Sequence, residues 1–446
     1  MSQDLSPSLV SFQAATEQFR AGTDSPRDFL ERAIDRLTAA EPTLQAFAAL
    51  AIPRARIVAD AASLRWKEGR PASRIDGMPI GIKDVIETFD MPMGLGSPTV
   101  NGFQPTRDAA VVHALRESGA AIVGKTKTTE YAGSYATDTR NPHDPTRTSG
   151  GSSAGSASAV GAGILPVALG TQVIGSTLRP ASFCGAFGFK PTLGAINRGG
   201  SHDFQSHSCI GVIGASLADI WFTTHEMVQR AGGDPGAMGL IGKAELAEPT
   251  RPGTLILLQT PGWDDATARA KEQLLATVSA LSAAGVQILT RDNHEGVAKF
   301  ETALLEVMDL ALDIVGYESR WPLKSVAYRD RDGLSPSVLS RIKLSDELGL
   351  DGYRALLARR AAMRDAFESL AREADAFITL GATGAAPKGI QWTGNPMFNV
   401  PASVLGAPAL SLPVYQDEGM PLGLQLMGAQ HTDEKLFGIA NYVMAR

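Results

Sequence analysis

Up to about residue 70 the apolar positions recur at helical spacing. Ser25-Pro26-Arg27-Asp28 supplies an N-cap, a proline at the first helical position and an acid in the first turn. Phe29, Ala33, Ile34 and Leu37 follow on one face. That stripe predicts a helix packed on the core or on another subunit. From Met78 the period changes. Short apolar runs at 78–82 and 120–123 sit between turn signals and predict buried strands, with a helical stretch at 109–117 between them. This alternation predicts α/β architecture. Residues 164–169 predict another strand, which Pro166 weakens. Beyond Ala231 helical patterns return, with strands predicted at 254–258 and 287–289. Within 302–314, Leu305, Met308 and Leu312 share a helical face expected to be core. Residues 401–428 are punctuated by Pro and Gly and read as strands.

Residues 147–163 break the pattern. Arg147-Thr148-Ser149-Gly150-Gly151-Ser152-Ser153-Ala154-Gly155-Ser156 is crowded with Gly and Ser, and a run of small residues follows. A flexible linker would be polar throughout. Here the Gly and Ser are embedded in Ala, Val, Leu and Phe, which implies close backbone approach and hydroxyls aimed at a target. No internal repeat or linker is visible, so one large domain is expected over 1–446.

Composition narrows the function. The chain has 446 residues, 44% hydrophobic and 20% charged, which excludes disorder and a coiled coil. Forty-one basic against forty-seven acidic side chains give a net charge of -6, which argues against a nucleic-acid partner. Two cysteines exclude a disulfide framework and a Cys-rich metal site; both are expected to be buried and apolar in role. The N-terminus lacks a basic start with a long apolar run, and no apolar stretch reaches the ~20 residues that span a bilayer. The expectation is a soluble cytoplasmic protein with no membrane partner.

Two motif matches fail on context. Gly119 to Thr126 fits the phosphate-loop pattern G-x-x-x-x-G-K-T, but its x positions are themselves the apolar strand, and a helix precedes them. A nucleotide binder is therefore disfavoured. Gly151-Ser152-Ser153-Ala154-Gly155 fits G-x-S-x-G, yet the preceding residues carry two prolines and no strand pattern. A third constellation is more coherent. Gly77-Met78-Pro79-Ile80-Gly81-Ile82-Lys83-Asp84 puts a lysine at the end of an apolar run. Burial disfavours the ammonium, and a lysine brought from its reference near 10.4 to about 7–8 is a usable base. The competing reading is that Lys83 reaches solvent or pairs with Asp84. Ser152 and Ser176 each follow a glycine. Serine needs a base to become a nucleophile, and no histidine stands near either one, which leaves Lys83 as the candidate.

These residues resemble the amidase signature family of Ser-Ser-Lys hydrolases. The match runs through G-M-P-I-G-I-K-D at 77–84, G-K-T-K-T-T-E-Y-A at 124–132, G-G-S-S-A-G-S-A at 150–157 and L-G-T-Q-V-I-G-S at 169–176. It continues with R-P-A-S-F-C-G-A-F-G-F-K-P-T at 179–192 and P-L-G-L-Q-L-M-G at 421–428. The resemblance implies one amidase domain with a central mixed sheet flanked by helices on both faces. Its parts would be N-terminal helices at 1–70, a catalytic core at 71–230, and the rest of the sheet with substrate-pocket helices at 231–446. By the same resemblance Lys83 is the general base, Ser152 the bridging serine after a cis peptide bond, and Ser176 the nucleophile. The N–H groups of Val173, Ile174, Gly175 and Ser176 would form the oxyanion hole. Ser149, Gly151, Thr171, Gln172 and Arg179 are expected to support the site or touch substrate. No metal or cofactor is implied.

The chain departs from the common family form at Ala154, Gln172, Ile174 and Leu178. With Arg179-Pro180-Ala181 it is similar to the branch of malonamidase-like and aryl-acylamidase-like enzymes. Arg179 either clamps a substrate carboxylate or serves the structure through an ion pair or hydrogen bonds to loop carbonyls, and the structural role is preferred. The expected activity is cleavage of an amide, aryl amide or carbamate (urethane) C–N bond through a serine acyl-enzyme. A small-molecule substrate and a monomer or homodimer follow. The amidase subunit of a tRNA-dependent amidotransferase is the alternative within the family. The pocket walls are expected from 85–105, 198–210 and 300–345.

Overall fold

In a computed structural model, which describes residues 8–446 apart from 101 and 136, the apolar runs bounded by turn residues become strands of one mixed sheet. In chain order they are β1 Phe47–Leu50, β2 Pro79–Lys83, β3 Ala121–Thr126, β4 Val167–Gln172, β5 Phe187–Lys190 and β6 Cys209–Gly214. β7 Thr254–Leu257, β8 Gln287–Leu289, β9 Ala376–Leu380, β10 Ala409–Asp417 and β11 Met420–Met427 complete it. Their order across the sheet is β1-β3-β2-β4-β6-β5-β10-β11-β9-β7-β8. β2 runs parallel to β3 and β4, and β7 to β8 and β9. The other pairings are antiparallel.

Strands β2, β3, β4 and β6 are buried along their whole length, as strands covered on both faces must be. Successive side chains of β3 show why. Ile122 joins one apolar cluster, with Val111 and Leu115 of the helix Ala110–Glu117. Ala121 and Val123 join another, with Leu30 and Leu37 of the helix Pro26–Leu44. Helices therefore flank both faces, as the family resemblance implies. Ser25 caps the helix Pro26–Leu44 by accepting from the Asp28 N–H.

Four expectations change. The first 70 residues are not all helical, because Phe47–Leu50 is edge strand β1, antiparallel to β3. Pro166 stands before β4 rather than in it, and the strand runs on to Gln172. A proline cannot donate to the ladder. Residues 302–314 are not one helix: Glu295–Ala303 gives way to a tight turn at Leu304–Glu306 and then to Val307–Glu318. Residues 401–428 begin as the helix Val400–Leu405, and only then form the hairpin β10–β11.

Three catalytic candidates converge because of the parallel β3-β2-β4 core. Lys83 ends β2 and Gln172 ends β4, so both lie at the carboxyl edge of the sheet, where α/β folds place their sites. The helix Ala154–Gly161 crosses between β3 and β4 and delivers Ser152 to the same edge. That helix packs directly on backbone. A Cβ on Gly155 would lie 2.1 Å from the Ala46 carbonyl oxygen and 2.5 Å from the Lys127 nitrogen. Only glycine allows this approach, which explains the small-residue run.

Candidate active site

Lys83 is completely buried. Its Nζ lies 2.8 Å from Ser152 Oγ and 2.6 Å from Thr171 Oγ1. Burial lowers its pKa to about 8, and the Asp203 carboxylate opposes part of that shift. Lys83 neither reaches solvent nor pairs with Asp84. Asp84 points instead to the equally buried Lys125, 3.3 Å away, and accepts from the Gly94 N–H at 2.9 Å. Lys125, the lysine of the phosphate-loop pattern, stands inside β3 and donates to the Ile86 carbonyl at 2.6 Å. Burial pushes its pKa down, the Asp84 carboxylate opposing, and it sits inside the strand rather than in a turn that opens a helix.

The Gly151–Ser152 peptide bond is cis. The Ser152 carbonyl accepts from the Thr129 N–H at 3.2 Å, and the Ser153 N–H donates to the Ser176 carbonyl at 3.2 Å. The two serine segments are thus stitched together through their backbones. Among the described residues no hydrogen bond joins Ser152 Oγ to Ser176 Oγ. Ser176 is half-buried, whereas Ser152 is buried.

Gln172 shapes the loop that carries Ser176. Its Oε1 accepts from the N–H groups of Thr177 and Leu178, both at 3.0 Å. Its Nε2 donates to Ser403 Oγ at 3.1 Å, and that hydroxyl donates to the Ile174 carbonyl at 3.0 Å. These bonds turn the chain outward from β4. They leave the N–H groups of Val173, Ile174, Gly175 and Ser176 without an acceptor in the protein, among the described residues. Gln172→Leu should therefore strand two buried donors at the start of the helix Leu178–Phe183. The expected cost is about 2 kcal/mol, together with a fall in kcat that exceeds any rise in KM. Urea unfolding and steady-state kinetics check both, and an unchanged midpoint with unchanged kcat would refute the role.

The other candidates separate. Thr171 contacts Lys83 directly. Arg179 Nη2 donates to the Gly151 carbonyl at 2.7 Å and to Thr393 Oγ1 at 3.0 Å. Burial lowers the Arg179 pKa to about 9, and among the described residues it forms no ion pair. The Ser149 hydroxyl donates to the Thr139 carbonyl at 3.5 Å. Cys184 and Cys209 are free and buried.

Ser176, Val173, Ile174, Gly175 and Arg179 line one cavity of about 240 Å³. Met308 and Leu312 line it too. The helical face expected to be core is therefore partly a ligand wall, while its third member, Leu305, is 65% exposed. Core packing falls to Leu304, Val307, Leu310, Ala311 and Ile314. Asp203, Gln205, Tyr131 and Arg341 also line the cavity. The sequence pattern does not single these out. Asp203 and Gln205 fall within the 198–210 wall segment and Arg341 within 300–345, but no local spacing marks them. Asp203 Oδ2, Gln205 Oε1 and Arg341 Nε and Nη2 are buried and make no hydrogen bond to the protein.

Comparison with known proteins agrees with this fold. The Amidase family model matches residues 28–437. A glutamyl-tRNA(Gln) amidotransferase subunit from Chloroflexus aurantiacus is 31% identical over 96% of this chain and 94% of its own length. A solved amidase structure superposes with a TM-score of 0.83 at 27% identity, covering 98% of this chain and 100% of that one. The native peptide amidase of Stenotrophomonas maltophilia gives a TM-score of 0.74 at 25% identity, covering 100% and 97%. Among the described residues no helix is long and apolar enough to cross a membrane.

Proposed function

This chain belongs to the amidase signature family, and from that premise we propose that it hydrolyses the C–N bond of an amide, aryl amide or carbamate through an acyl-enzyme on Ser176. The observation that carries this reading is the buried Lys83 amine 2.8 Å from Ser152 Oγ, with Ser153 tied through its backbone to Ser176, which lines a cavity together with residues 173–175. An amine with a pKa near 8 is partly neutral at physiological pH. Neutral Lys83 accepts the Ser152 proton and donates to Thr171 Oγ1, which fixes the direction of its lone pair. Ser152 in turn takes the proton of Ser176. For this step the Ser176 hydroxyl has to meet Ser152 Oγ, a contact the structure does not hold among the described residues. Such contacts often close only around substrate.

Ser176 Oγ attacks the carbonyl carbon, and the N–H groups at 173–176 receive the oxyanion. The relay then reverses. Ser152 hands a proton to the nitrogen, the C–N bond breaks, and the amine leaves neutral. Water repeats the cycle on the acyl-enzyme. Arg179 holds the Gly151 carbonyl and so keeps Ser152 facing Lys83.

A screen of anilides, aliphatic amides, half-amides of dicarboxylic acids and aryl carbamates, with amine release measured, tests the reading. At least one class should turn over without added partners. A chain silent on every class would defeat it. A second reading rests on the full-length similarity to the Chloroflexus amidotransferase protein. It predicts glutaminase activity that appears only with companion proteins and tRNA.

A further inference from the structure

Beyond the proton relay, the same edge of the sheet gathers positive charge. Cys209 opens β6 and pairs in register with Gln172 of β4, and Lys190 ends the neighbouring strand β5. His207 stands two residues before β6. Arg360 and Arg364 reach the same place from one face of the helix Pro336–Ala371, one turn apart. Lys190 and His207 are completely buried, and Arg360 is 9% exposed. None of these side chains takes part in the proposed acyl transfer.

Two hydrogen-bond donors in this cluster lack an acceptor. Arg360 Nη1 donates to Ser206 Oγ at 2.5 Å and lies 3.3 Å from His207 Nδ1. Because a guanidinium only donates, Nδ1 is the acceptor and the imidazole proton sits on Nε2. His207 Nε2 is buried and has no partner in the protein among the described residues. Burial, then Arg360 and Arg364, push the His207 pKa down to about 3, so the ring is neutral and Nε2 remains a donor. Arg364 Nη2 is likewise buried without an acceptor, while its Nε donates to the Val404 carbonyl at 2.8 Å. Lys190 Nζ donates to the Pro191 carbonyl at 2.6 Å and lies 3.5 Å from Cys209 Sγ.

The charges do not cancel. Among the described residues none of the three cations Lys190, Arg360 and Arg364 forms an ion pair. Two carboxylates stand near. Asp433 faces Lys190 but is bound by the Thr192 N–H and hydroxyl at 2.8 and 2.6 Å. Glu318 is held by the Ser206 N–H and the Tyr353 hydroxyl, both at 2.7 Å. A further cation in range, Arg198, is neutralised by Asp234 at 2.6 Å. With both nearby carboxylates ionised, one positive charge is left over, and Arg364 is the cation with no acid beside it. A water molecule can satisfy a buried donor, but it leaves that charge in place.

We propose that His207, Arg364 and Arg360 form a binding site for one monovalent inorganic anion, chloride in the cell, and that the bound anion braces the loop that carries Ser176. A single negative charge closes the balance, and a spherical ion suits N–H donors arriving from separate elements. The link to the loop is short. Arg364 holds the Val404 carbonyl, and the adjacent Ser403 hydroxyl donates to the Ile174 carbonyl and accepts from Gln172. The inference does not depend on which amide or carbamate the chain cleaves.

The test compares sodium chloride with sodium gluconate, whose anion is too large for a buried site, at constant sodium concentration. The melting temperature of the native chain should rise saturably with chloride, by about 2 °C when chloride exceeds its dissociation constant roughly twentyfold. Amide hydrogen exchange at 173–178 should slow about threefold over the same titration. Arg364→Gln should lose both responses. Crystals soaked in sodium bromide should show an anomalous peak in contact with His207 Nε2 and Arg364 Nη2. Equal melting temperatures in the two salts would overturn the site, as would bromide confined to the surface, an adventitious ion only. Binding without any change in exchange at 173–178 would overturn the bracing role. If Arg364→Gln does not fold, the native chain's bromide map decides the site alone.

Discussion

Ser176→Ala should abolish amide hydrolysis while leaving the fold untouched. The expected loss in kcat is on the order of 10⁵-fold, the scale seen when a catalytic serine is removed and only the oxyanion donors and binding remain. Two features make the test clean. The Ser176 hydroxyl makes no hydrogen bond in the structure, among the described residues, and the side chain is only half-buried. Removing one oxygen there leaves no unpaired partner. The unfolding free energy should therefore stay within about 0.5 kcal/mol of the parent. Ser152→Ala differs, because its hydroxyl is buried against Lys83. Near-normal turnover in Ser176→Ala would show that the nucleophile is elsewhere.

Lys83→Met should be nearly inactive and, unusually for a core substitution, more stable. The activity argument follows from the pKa near 8. In the parent, kcat/KM should rise about tenfold per pH unit below pH 8 and level off above it, as the neutral amine fills. The variant should lose that limb, with a fall in rate of roughly 10³-fold or more. The stability argument has a definite sign. The folded pKa is depressed from 10.5 to about 8, so between those values the unfolded chain binds the extra proton and stability rises with pH. Below pH 8 both states are protonated and the whole penalty is present, about 3 kcal/mol for a fully buried group. Lys83→Met removes the penalty and should raise stability at pH 7, less what Ser152 and Thr171 lose as partners. Denaturant unfolding of both proteins at pH 7 and pH 10.5 gives the comparison. A variant weaker than its parent at pH 7, with no narrowing of the gap at high pH, would mean that the lysine is not carried as a buried charge.

The line from residues to site was short where chemistry sits on one strand or one turn. The apolar run ending in Lys83 predicts a buried amine, and β2 delivers it. The Gly and Ser crowded around Ser152 predict close backbone contact, and Gly155 against Ala46 and Lys127 supplies it. The walls were not legible in the same way. Arg341 comes from a helix far along the chain, Tyr131 from the turn after β3, and Asp203 from a loop before β6. Their meeting is a property of the sheet order, which local periodicity does not encode. The face formed by Met308 and Leu312 shows the limit most plainly. An apolar stripe records that water is excluded there, without recording whether protein or ligand does the excluding. At 401–405 the small apolar residues suit strand and helix equally, and the packing of Val400, Val404 and Leu405 in the apolar cluster with Leu304, Leu310 and Phe377 decides for helix.

The central claim is that Ser176 becomes acylated at a rate set by deprotonation of Lys83. Acid-quenching the protein during turnover of a slow anilide, then mapping its peptides by mass spectrometry, reads this directly. The account predicts the acyl mass on the peptide that contains Ser176, one equivalent of amine released with it, and accumulation roughly fivefold faster at pH 8 than at pH 7. An acyl group on any other side chain, or a rate indifferent to pH across that range, would contradict it.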